Sequence, residues 1–409
     1  MNSSTESFDT VARNRRRAAI VLFCVAIFLF WAGLYVYVPT LPVYAKERGA
    51  SLALVGLIIS SYGFTQAVLR IPLGLASDRY GRRKPFVLAG FAVTGISCLI
   101  LAWAPSPEWL LLGRGLAGVA ASSWVASTVL FASYFAPGQA LRATSIVTFV
   151  SAGAQMVATG AGGRIADVAG WLAPFYAGGL IALVGALAFA GTVEHVVVRR
   201  PATWGTLRRL GTHGPLLGAS AVAAIGQYVA QSTTHGFVPI HAKAAFQASS
   251  TALGDLATLT QLAYTLAALV SAAVARRLRI RRALTVGLVM VGLSTALVPL
   301  APSFLVLEMV RVLFGAGYGL IYPVAMGLAI RDVPAEERAS AMGIFQAVYA
   351  VGMFAGPAIS GWLAAGVGLQ GMFWLTSLLP LGTAGVAGWL SRRAHLRVVS
   401  PAATGGDSG

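Results

Sequence analysis

Long apolar runs of membrane-spanning length dominate this sequence. A helix needs about 20 mostly apolar residues to cross the hydrocarbon core of a bilayer. Twelve such runs follow one another, at about 18–41, 52–76, 85–104, 108–131, 144–166, 171–193, 214–241, 251–275, 283–302, 304–330, 339–365 and 369–391. None of them alternates between apolar and polar residues, as the strands of a membrane β-barrel do. Because a helix satisfies its own backbone hydrogen bonds in lipid, these runs predict an all-α polytopic membrane protein with 12 transmembrane helices.

The composition excludes the soluble classes of protein. Hydrophobic residues make up 57% of the chain and charged residues only 11%, whereas a soluble domain carries about 25% charged residues. Intrinsic disorder is excluded as well, because it requires low hydrophobicity. In a soluble protein the formal charge of +17 would suggest binding to nucleic acid, but here the positions of the charges explain it differently.

The 30 basic residues are distributed unevenly among the loops. If the N-terminus is cytoplasmic, 23 of them lie in cytoplasmic segments, four in outer loops and three within spans. This is the bias that the positive-inside rule describes. We therefore expect a multi-pass protein of the plasma or inner membrane, surrounded by the lipid bilayer, with both termini cytoplasmic and no nucleic-acid partner.

A long basic loop and an internal repeat divide the chain into two pseudo-symmetric halves. Arg114 and Gly118 in the fourth span recur as Arg311 and Gly315 in the tenth, at an offset of 197 residues. Duplicated six-span halves are a transporter architecture. We expect a basic cytoplasmic N-terminal segment at 1–17, a six-helix bundle at 18–193, a cytoplasmic interdomain loop at 194–213, a second six-helix bundle at 214–391 and a cytoplasmic tail at 392–409.

The loop between the second and third spans combines an acid, several bases and two glycines. Its residues are Gly74, Asp78, Arg79, Gly81, Arg82 and Arg83, followed by Lys84. Gly74 permits close approach of another helix, and Gly81 permits a tight turn. The loop resembles the signature of the major facilitator superfamily, Gly-x-x-x-Asp-Arg/Lys-x-Gly-Arg/Lys-Arg/Lys, at every defining position. Arg114-x-x-x-Gly118 and Gly352-x-x-x-Gly356-Pro357 resemble two further motifs of this family.

The resemblance implies a gating role for this loop. In the family it forms a cytoplasmic latch, near the eleventh helix, that holds the outward-facing state. We expect Arg82 or Arg83 to pair with one of the two acids that precede that helix, Glu336 and Glu337. The second-half copy of the loop, at 276–282, contains no acid, and we expect it to have only a topological role.

Polar and aromatic side chains at helical spacing are candidates for a central binding cavity. Substrate sites in such folds lie near the bilayer midplane between the halves, and polar groups that face lipid are costly. The candidate cavity residues are Trp31, Tyr35, Gln66, Gln155, Gln227, Gln231, Gln261, Tyr318, Tyr322 and Gln346. Hydrogen bonds between helices and aromatic packing are the alternative explanation for the same residues.

Four ionisable residues inside the spans are candidates for coupling, substrate contact or structural pairing: Arg70, Arg114, Arg311 and His235. Each buried arginine costs at least about 2.5–3.5 kcal/mol on insertion scales. We expect Arg70 to pair with Asp78, and we expect Glu108 and Glu308 to supply counter-ions for the other two arginines. The histidine is either a neutral hydrogen-bonding residue or a proton carrier. Because no acid lies deep in any span, an uncharged or anionic solute is favoured over a polycation.

These features predict a secondary transporter that moves a small-molecule solute by alternating access. Export of a drug-like or metabolite molecule, with protons as a candidate coupling ion, is the first hypothesis. Span five at 160–163 lacks the proline that drug–proton antiporters of this family carry there, which argues against antiport. Uptake of a small organic anion is the alternative, and a non-transporting receptor is the alternative class.

We expect no enzymatic activity, no catalytic residue and no cofactor. The five histidines show no metal-ligand spacing, so no metal site is predicted, and the sequence contains no phosphate-binding P-loop. We expect the protein to be a monomer.

Overall fold

The computed structural model describes residues 3–135, 139–194, 204–334 and 337–399. Within these ranges the chain is helical and contains no strand. The α-helices are α1 (Ser3–Tyr35), α2 (Leu41–Glu47), α3 (Leu52–Tyr80), α4 (Lys84–Trp103), α5 (Pro107–Ser122), α6 (Trp124–Ser133), α7 (Ala140–Ala169), α8 (Ala173–Ala190), α9 (Trp204–Gly211), α10 (Gly214–Ser232), α11 (Val238–Phe246), α12 (Ser250–Leu278), α13 (Ile280–Leu297), α14 (Phe304–Ile330) and α15 (Arg338–Val399). A π-helical turn at Thr233–Phe237 joins α10 to α11, and a 3₁₀ turn at Val298–Leu300 follows α13.

Ten helical segments in the described part of the chain are long and apolar enough to cross a membrane. One of them, Ser340–Val386 within α15, has 47 residues and bends at Gly368, whose φ of 76° favours glycine, so it comprises two spans. The helical run from α10 through the π-helical turn to α11 supplies the remaining span. The predicted all-α fold, with 12 transmembrane helices in two six-helix bundles, is therefore confirmed.

Equivalent helices of the two halves begin with the same kind of cap. The Ser51 hydroxyl accepts a hydrogen bond from the backbone N–H of Leu54 at the start of α3, at 3.1 Å. The Ser249 hydroxyl accepts one from Ala252 at the start of α12, also at 3.1 Å. A serine in this position satisfies one of the free N–H groups of the first helical turn. The internal repeat of the sequence is thus also a repeat of helix boundaries.

Glycines bring the two halves into close contact at two pairs of helices. Where α3 meets α15, a Cβ atom on Gly56 would lie 2.8 Å from the Cα atom of Gly361. Where α7 meets α12, a Cβ atom on Gly254 would lie 2.7 Å from the carbonyl oxygen of Thr159. Helices in lipid associate through such close packing, because burial of apolar surface gives them no advantage over lipid contact. These two contacts therefore join the six-helix bundles.

Polar contacts close the bundle at one face. We call the face next to the loops 79–84 and 276–282 the arginine-rich face, and the other the opposite face. At the opposite face, the Asp167 carboxylate at the end of α7 accepts hydrogen bonds from the backbone N–H groups of Ser250, at 2.9 Å, and Thr251, at 2.7 Å. An anion is stabilised there by the free N–H groups and dipole of the helix N-terminus.

An ion pair lies beside this contact. Arg164 on α7 donates to both carboxylate oxygens of Asp255 on α12, at 2.8 and 3.3 Å. Both side chains are about half exposed, so the pair contributes modestly, within about 0–1 kcal/mol. We call the five residues Arg164, Asp167, Ser250, Thr251 and Asp255 the α7–α12 clamp. Because the clamp joins the two halves, the structure is closed at the opposite face.

Substituting Gly163 tests this closure. The hydroxyl oxygens of Thr159 and Thr258 lie 3.3 Å apart across α7 and α12, so a cysteine pair at these positions should form a disulfide. The added Cβ atom of Gly163→Ala would lie 2.9 Å from the carbonyl carbon of Ser250, and we expect it to slow disulfide formation severalfold. Gly153→Ala is the matched control on α7, because no atom lies within 4 Å of its new Cβ atom.

The measurement needs a background in which Cys24 and Cys98 are replaced by serine, since both are free thiols. Cleavage at a protease site inserted between the halves, followed by non-reducing electrophoresis, reports the disulfide. Equal rates for Gly163→Ala and Gly153→Ala would contradict the glycine-dependent closure.

Candidate functional site

Three buried arginines lie in the centre of the bundle. The exposed fractions are 7% for Arg70 on α3, 2% for Arg114 on α5 and 1% for Arg311 on α14. The ion pairs among the described residues are Asp78–Arg83, Arg164–Asp255, Arg209–Glu337 and Arg331–Asp332. The three central guanidinium groups therefore have no carboxylate partner in the described part of the chain.

Arg114 and Arg311 occupy equivalent positions in the two halves and have aromatic neighbours. The guanidinium carbon of Arg114 lies 4.0 Å from the ring centre of Tyr62, and Nη1 donates to the Tyr37 hydroxyl at 3.3 Å. The guanidinium carbon of Arg311 lies 3.9 Å from the ring centre of Phe314, and its Nη2 donates to the hydroxyl of Thr234. Cation–π contacts of this kind partly replace a counter-ion. Nε of the first arginine and Nη1 of the second are buried without a hydrogen-bond acceptor.

The prediction that Glu108 and Glu308 supply counter-ions for these two arginines is wrong. Glu108 lies exposed at the start of α5 and accepts a hydrogen bond from the Ser106 hydroxyl. Glu308 forms no ion pair with any described residue. Neither carboxylate pairs with an arginine, so within the described part of the chain both arginines lack a counter-ion.

Arg70 connects the two halves. Its Nη1 donates to the Tyr349 hydroxyl on α15 at 2.7 Å, and its Nη2 donates to the side-chain oxygen of Gln66 at 2.7 Å. The expected pairing with Asp78 is wrong, because the Asp78 carboxylate accepts from Arg83 at 2.6 Å. Nε of Arg70 and Nε2 of Gln66 remain buried without a partner. This arginine is thus held by neutral groups and retains free donor capacity.

Aromatic rings line the region around the arginines. In the first half Trp31 packs against Tyr35, with ring centres 5.8 Å apart. In the second half the rings of Tyr264, Tyr318, Tyr322 and Tyr349 follow one another, with neighbouring centres 5.2, 6.3 and 5.8 Å apart. The four aromatic residues that the sequence proposed for the cavity therefore form two contacting pairs, Trp31 with Tyr35 and Tyr318 with Tyr322.

His235 lies between the two halves, in the π-helical turn. Its ring packs edge-on against Tyr35, with the ring centres 6.0 Å apart. It is also within electrostatic range of both Arg114 and Arg311. The π-helical turn of the α10–α11 run thus places a histidine against the ring of Tyr35.

The candidate glutamines are distributed over five helices. Gln66 contacts Arg70, and Gln231 is buried on α10. The remaining four are only partly buried, and their side chains form no hydrogen bond with described residues: Gln155, Gln227, Gln261 and Gln346. Their amides are available to a solute or to water, which is consistent with the predicted cavity.

Tyr62 and Tyr349 lie at helical spacing from two candidates on the same helices, four residues before Gln66 and three after Gln346, and this spacing already marks them in the sequence. Two further site residues were not among the sequence candidates. Phe314 follows Arg311 by three residues, which is also a helical spacing. Tyr37 lies in the turn after α1, where no periodic pattern extends, and only the structure reveals its contact with Arg114.

The signature loop is folded back on its own half. Arg83 is 4% exposed, pairs with Asp78, and donates through its backbone N–H to Glu194. Gly81 ends α3 with a φ of 70°, and a Cβ atom on Gly74 would lie 3.4 Å from a side-chain methyl group of α6. Arg79 and Arg82 are exposed. Of the two acids expected to pair with this loop, Glu337 pairs with Arg209, and Glu336 lies outside the described residues.

Comparisons with known proteins identify the family. The sequence model of the Major Facilitator Superfamily matches residues 23–230 and 220–407. The uncharacterized MFS-type transporter MJ1560 of Methanocaldococcus jannaschii is 21% identical over 373 residues, which cover 88% of this chain and 95% of that protein. The inner membrane transport protein YajR of Escherichia coli K12 is 45% identical over 87 residues, which cover 21% of this chain and 19% of that protein.

A solved structure has a similar fold. It is the inward-facing, occupied conformation of a bacterial homolog of the human lysosomal transporter Spinster. Its TM-score is 0.78, with 17% sequence identity, over 95% of this chain and 99% of that chain.

Removing an uncompensated charge should stabilise the protein. Arg311→Gln keeps a donor for Thr234 but removes a buried cation without a counter-ion, and we expect the thermal midpoint in detergent to rise by about 2–4 °C. Arg164→Gln, at the half-exposed clamp, is the control and should not raise it. A lower midpoint for Arg311→Gln would show that this arginine is held for packing.

Proposed function

Since the chain belongs to the major facilitator superfamily, we propose that it is a secondary transporter that moves a small organic anion across the membrane by alternating access. The observation that carries this proposal is the group of three buried arginines without a carboxylate partner among the described residues. A buried charge in a membrane protein marks a solute or ion pathway more often than a structural element.

The free donors of these arginines suit an anionic group. Planar guanidinium groups bind carboxylates and phosphates through paired, charge-assisted hydrogen bonds. Arg70, Arg114 and Arg311 each have at least one buried nitrogen without an acceptor. Since no carboxylate among the described residues neutralises them, a solute with its own negative charge gains the most, and a cationic solute is repelled.

The aromatic residues indicate the rest of the solute. Tyr264, Tyr318 and Tyr322 present adjacent rings on one side, and Trp31 and Tyr35 lie on the other half. Such surfaces favour an apolar or aromatic portion over a strongly hydrated one. We therefore propose a solute that combines an acidic group with an apolar body.

The two bundles, at 18–193 and 214–391, are the proposed moving units. The α7–α12 clamp would open when the solute site faces the opposite side, while the loop at 74–84 would then latch the arginine-rich face. In our proposal the arginine-rich face is cytoplasmic, in agreement with the positive-inside rule. The protein would then lie in the cell membrane with both termini inside.

Export of an uncharged drug-like molecule is the second candidate function. The partly buried, unbonded amides of Gln155, Gln227, Gln261 and Gln346 favour it, because amides accept many polar groups without requiring a charge. For the anion, we propose export as well, since the aromatic surroundings suit a varied set of apolar bodies.

Flux into proteoliposomes distinguishes the two candidates. We expect aromatic carboxylates, beginning with benzoate, to be transported faster than their neutral amides, beginning with benzamide, and faster than benzylamine. Arg114→Gln should raise the half-saturation concentration for the carboxylate by about 10–100-fold, because it removes a charged hydrogen bond of about 1.5–3 kcal/mol. Arg208→Gln, at an exposed position on α9, is the control.

If benzamide is transported as fast as benzoate, and Arg114→Gln leaves the half-saturation concentration unchanged, the results favour export of an uncharged molecule. Opposite gradients of the labelled solute, applied to vesicles of known orientation, would give the direction.

We also propose that His235 couples transport to protons, since its ring packs edge-on against Tyr35 and its charge would interact with those of Arg114 and Arg311. An imposed pH gradient should stimulate net flux in the natural sequence but not in His235→Gln, whereas exchange at equal pH should persist in both. His213→Gln, at the start of α10, is the control histidine. Net flux that is independent of the gradient in the natural sequence would contradict proton coupling.

A further inference from the structure

The two halves differ at the positions of the signature loop. At the offset of 197 residues, Asp78 corresponds to Ala275, Arg79 to Arg276 and Arg82 to Arg279. The second half has thus kept two basic positions of the loop and lost its only acid. The structure shows what each half does with these charges.

In the first half, carboxylates of the chain itself accept hydrogen bonds from the loop. Asp78 accepts from the Arg83 guanidinium at 2.6 Å, and Glu194 accepts from the backbone N–H groups of Arg83 and Lys84. Helix α3 also packs closely on α6 at Gly74. This end of the first half is therefore filled, and both of these carboxylates are bound by residues of the loop.

In the second half, the corresponding place is a cavity of about 560 Å³ between α12 and α14. Ala275, Arg276 and Arg279 line it together with Arg331 on α14. Arg331 bonds to Asp332, at 3.1 and 3.2 Å, whereas Arg276 and Arg279 have no carboxylate partner among the described residues. An open, positively charged space thus lies where the other half holds Asp78.

The walls of this cavity are apolar. Ala272, Ile280, Val324 and Leu328 line it. Pro323 of α14 also lines it and, because proline has no backbone N–H, one helical hydrogen bond of α14 cannot form there. The cavity therefore has cationic groups at the arginine-rich end of the transmembrane helices and hydrocarbon along its sides.

We propose that this cavity binds the headgroup phosphate of an anionic phospholipid from the leaflet at the arginine-rich face. The phosphate lies beside Ala275, the counterpart of Asp78, and contacts Arg276 and Arg279, while the apolar walls receive the glycerol and the start of an acyl chain. Basic pockets between transmembrane helices are suited to such headgroups. A free inorganic phosphate would supply the charge but would leave most of the apolar volume unfilled.

Native mass spectrometry of the detergent-solubilised protein tests the site. We expect phosphatidylglycerol to bind more tightly than phosphatidylcholine with the same acyl chains. The double variant Arg276→Gln and Arg279→Gln should weaken the phosphatidylglycerol complex by about fivefold for each arginine removed. The control is Arg281→Gln with Arg282→Gln, which changes the same number of charges in the same loop at exposed positions that do not line the cavity.

A second variant, Ala275→Asp, restores the acid of the first half. We expect it to weaken phosphatidylglycerol binding without removing any arginine, because its carboxylate would compete for the same guanidinium groups. Because this variant keeps every arginine, weaker lipid binding could not be explained by the removal of basic residues. Gel filtration verifies that each variant is folded.

Equal binding of the two lipids to the natural sequence would overturn the proposal, as would an equal loss in the control double variant. Competition by inorganic phosphate at the same concentration as the lipid would also overturn it, since a soluble anion would then be the ligand. None of these measurements depends on transport, so their outcome is independent of the proposed function.

Discussion

The absence of water from the bilayer core governs the architecture of this protein. Every backbone polar group must bond within the chain, so the spans are helices, and polar side chains turn towards the interior. Between helices, lipid offers apolar contact as good as any side chain does, so association depends on close packing at glycines such as Gly56, Gly254 and Gly361. In the same environment, Arg114 and Arg311 are costly, because among the described residues they contact aromatic rings and hydroxyls but no acid.

The interface between the halves serves two purposes in this arrangement. At the opposite face, glycines and the α7–α12 clamp close it, and in the centre Arg70 bridges it through Tyr349. In the proposed function, a solute at Arg70 would bind the same guanidinium group that Tyr349 contacts. Occupation of the site and the contact between the halves would then be chemically linked, which is what alternating access requires of a binding residue.

Much of the fold could be predicted from the sequence, because twenty apolar residues in a row allow little besides a membrane helix. Candidate polar residues could also be selected from the sequence, since residues such as Gln66 and Arg70 share a face at helical spacing. The partners of the buried arginines could not be predicted from the sequence. Glu108 lies near Arg114 in sequence, yet the arginine points into the bundle while the acid stays at the exposed end of α5. The partner of Arg70 lies 279 residues away, and no local pattern indicates such a pair.

The contact of Asp167 with α12 has a consequence for how this protein tolerates sequence change. The carboxylate accepts from the main-chain N–H groups at positions 250 and 251, and the hydroxyls of Ser250 and Thr251 also interact with it. Any residue except proline supplies the main-chain donors, so replacing a hydroxyl residue weakens the contact without removing it, whereas the other partner is confined to an acid. Part of the gate is thus encoded in helix geometry, and that part tolerates a change of side chain.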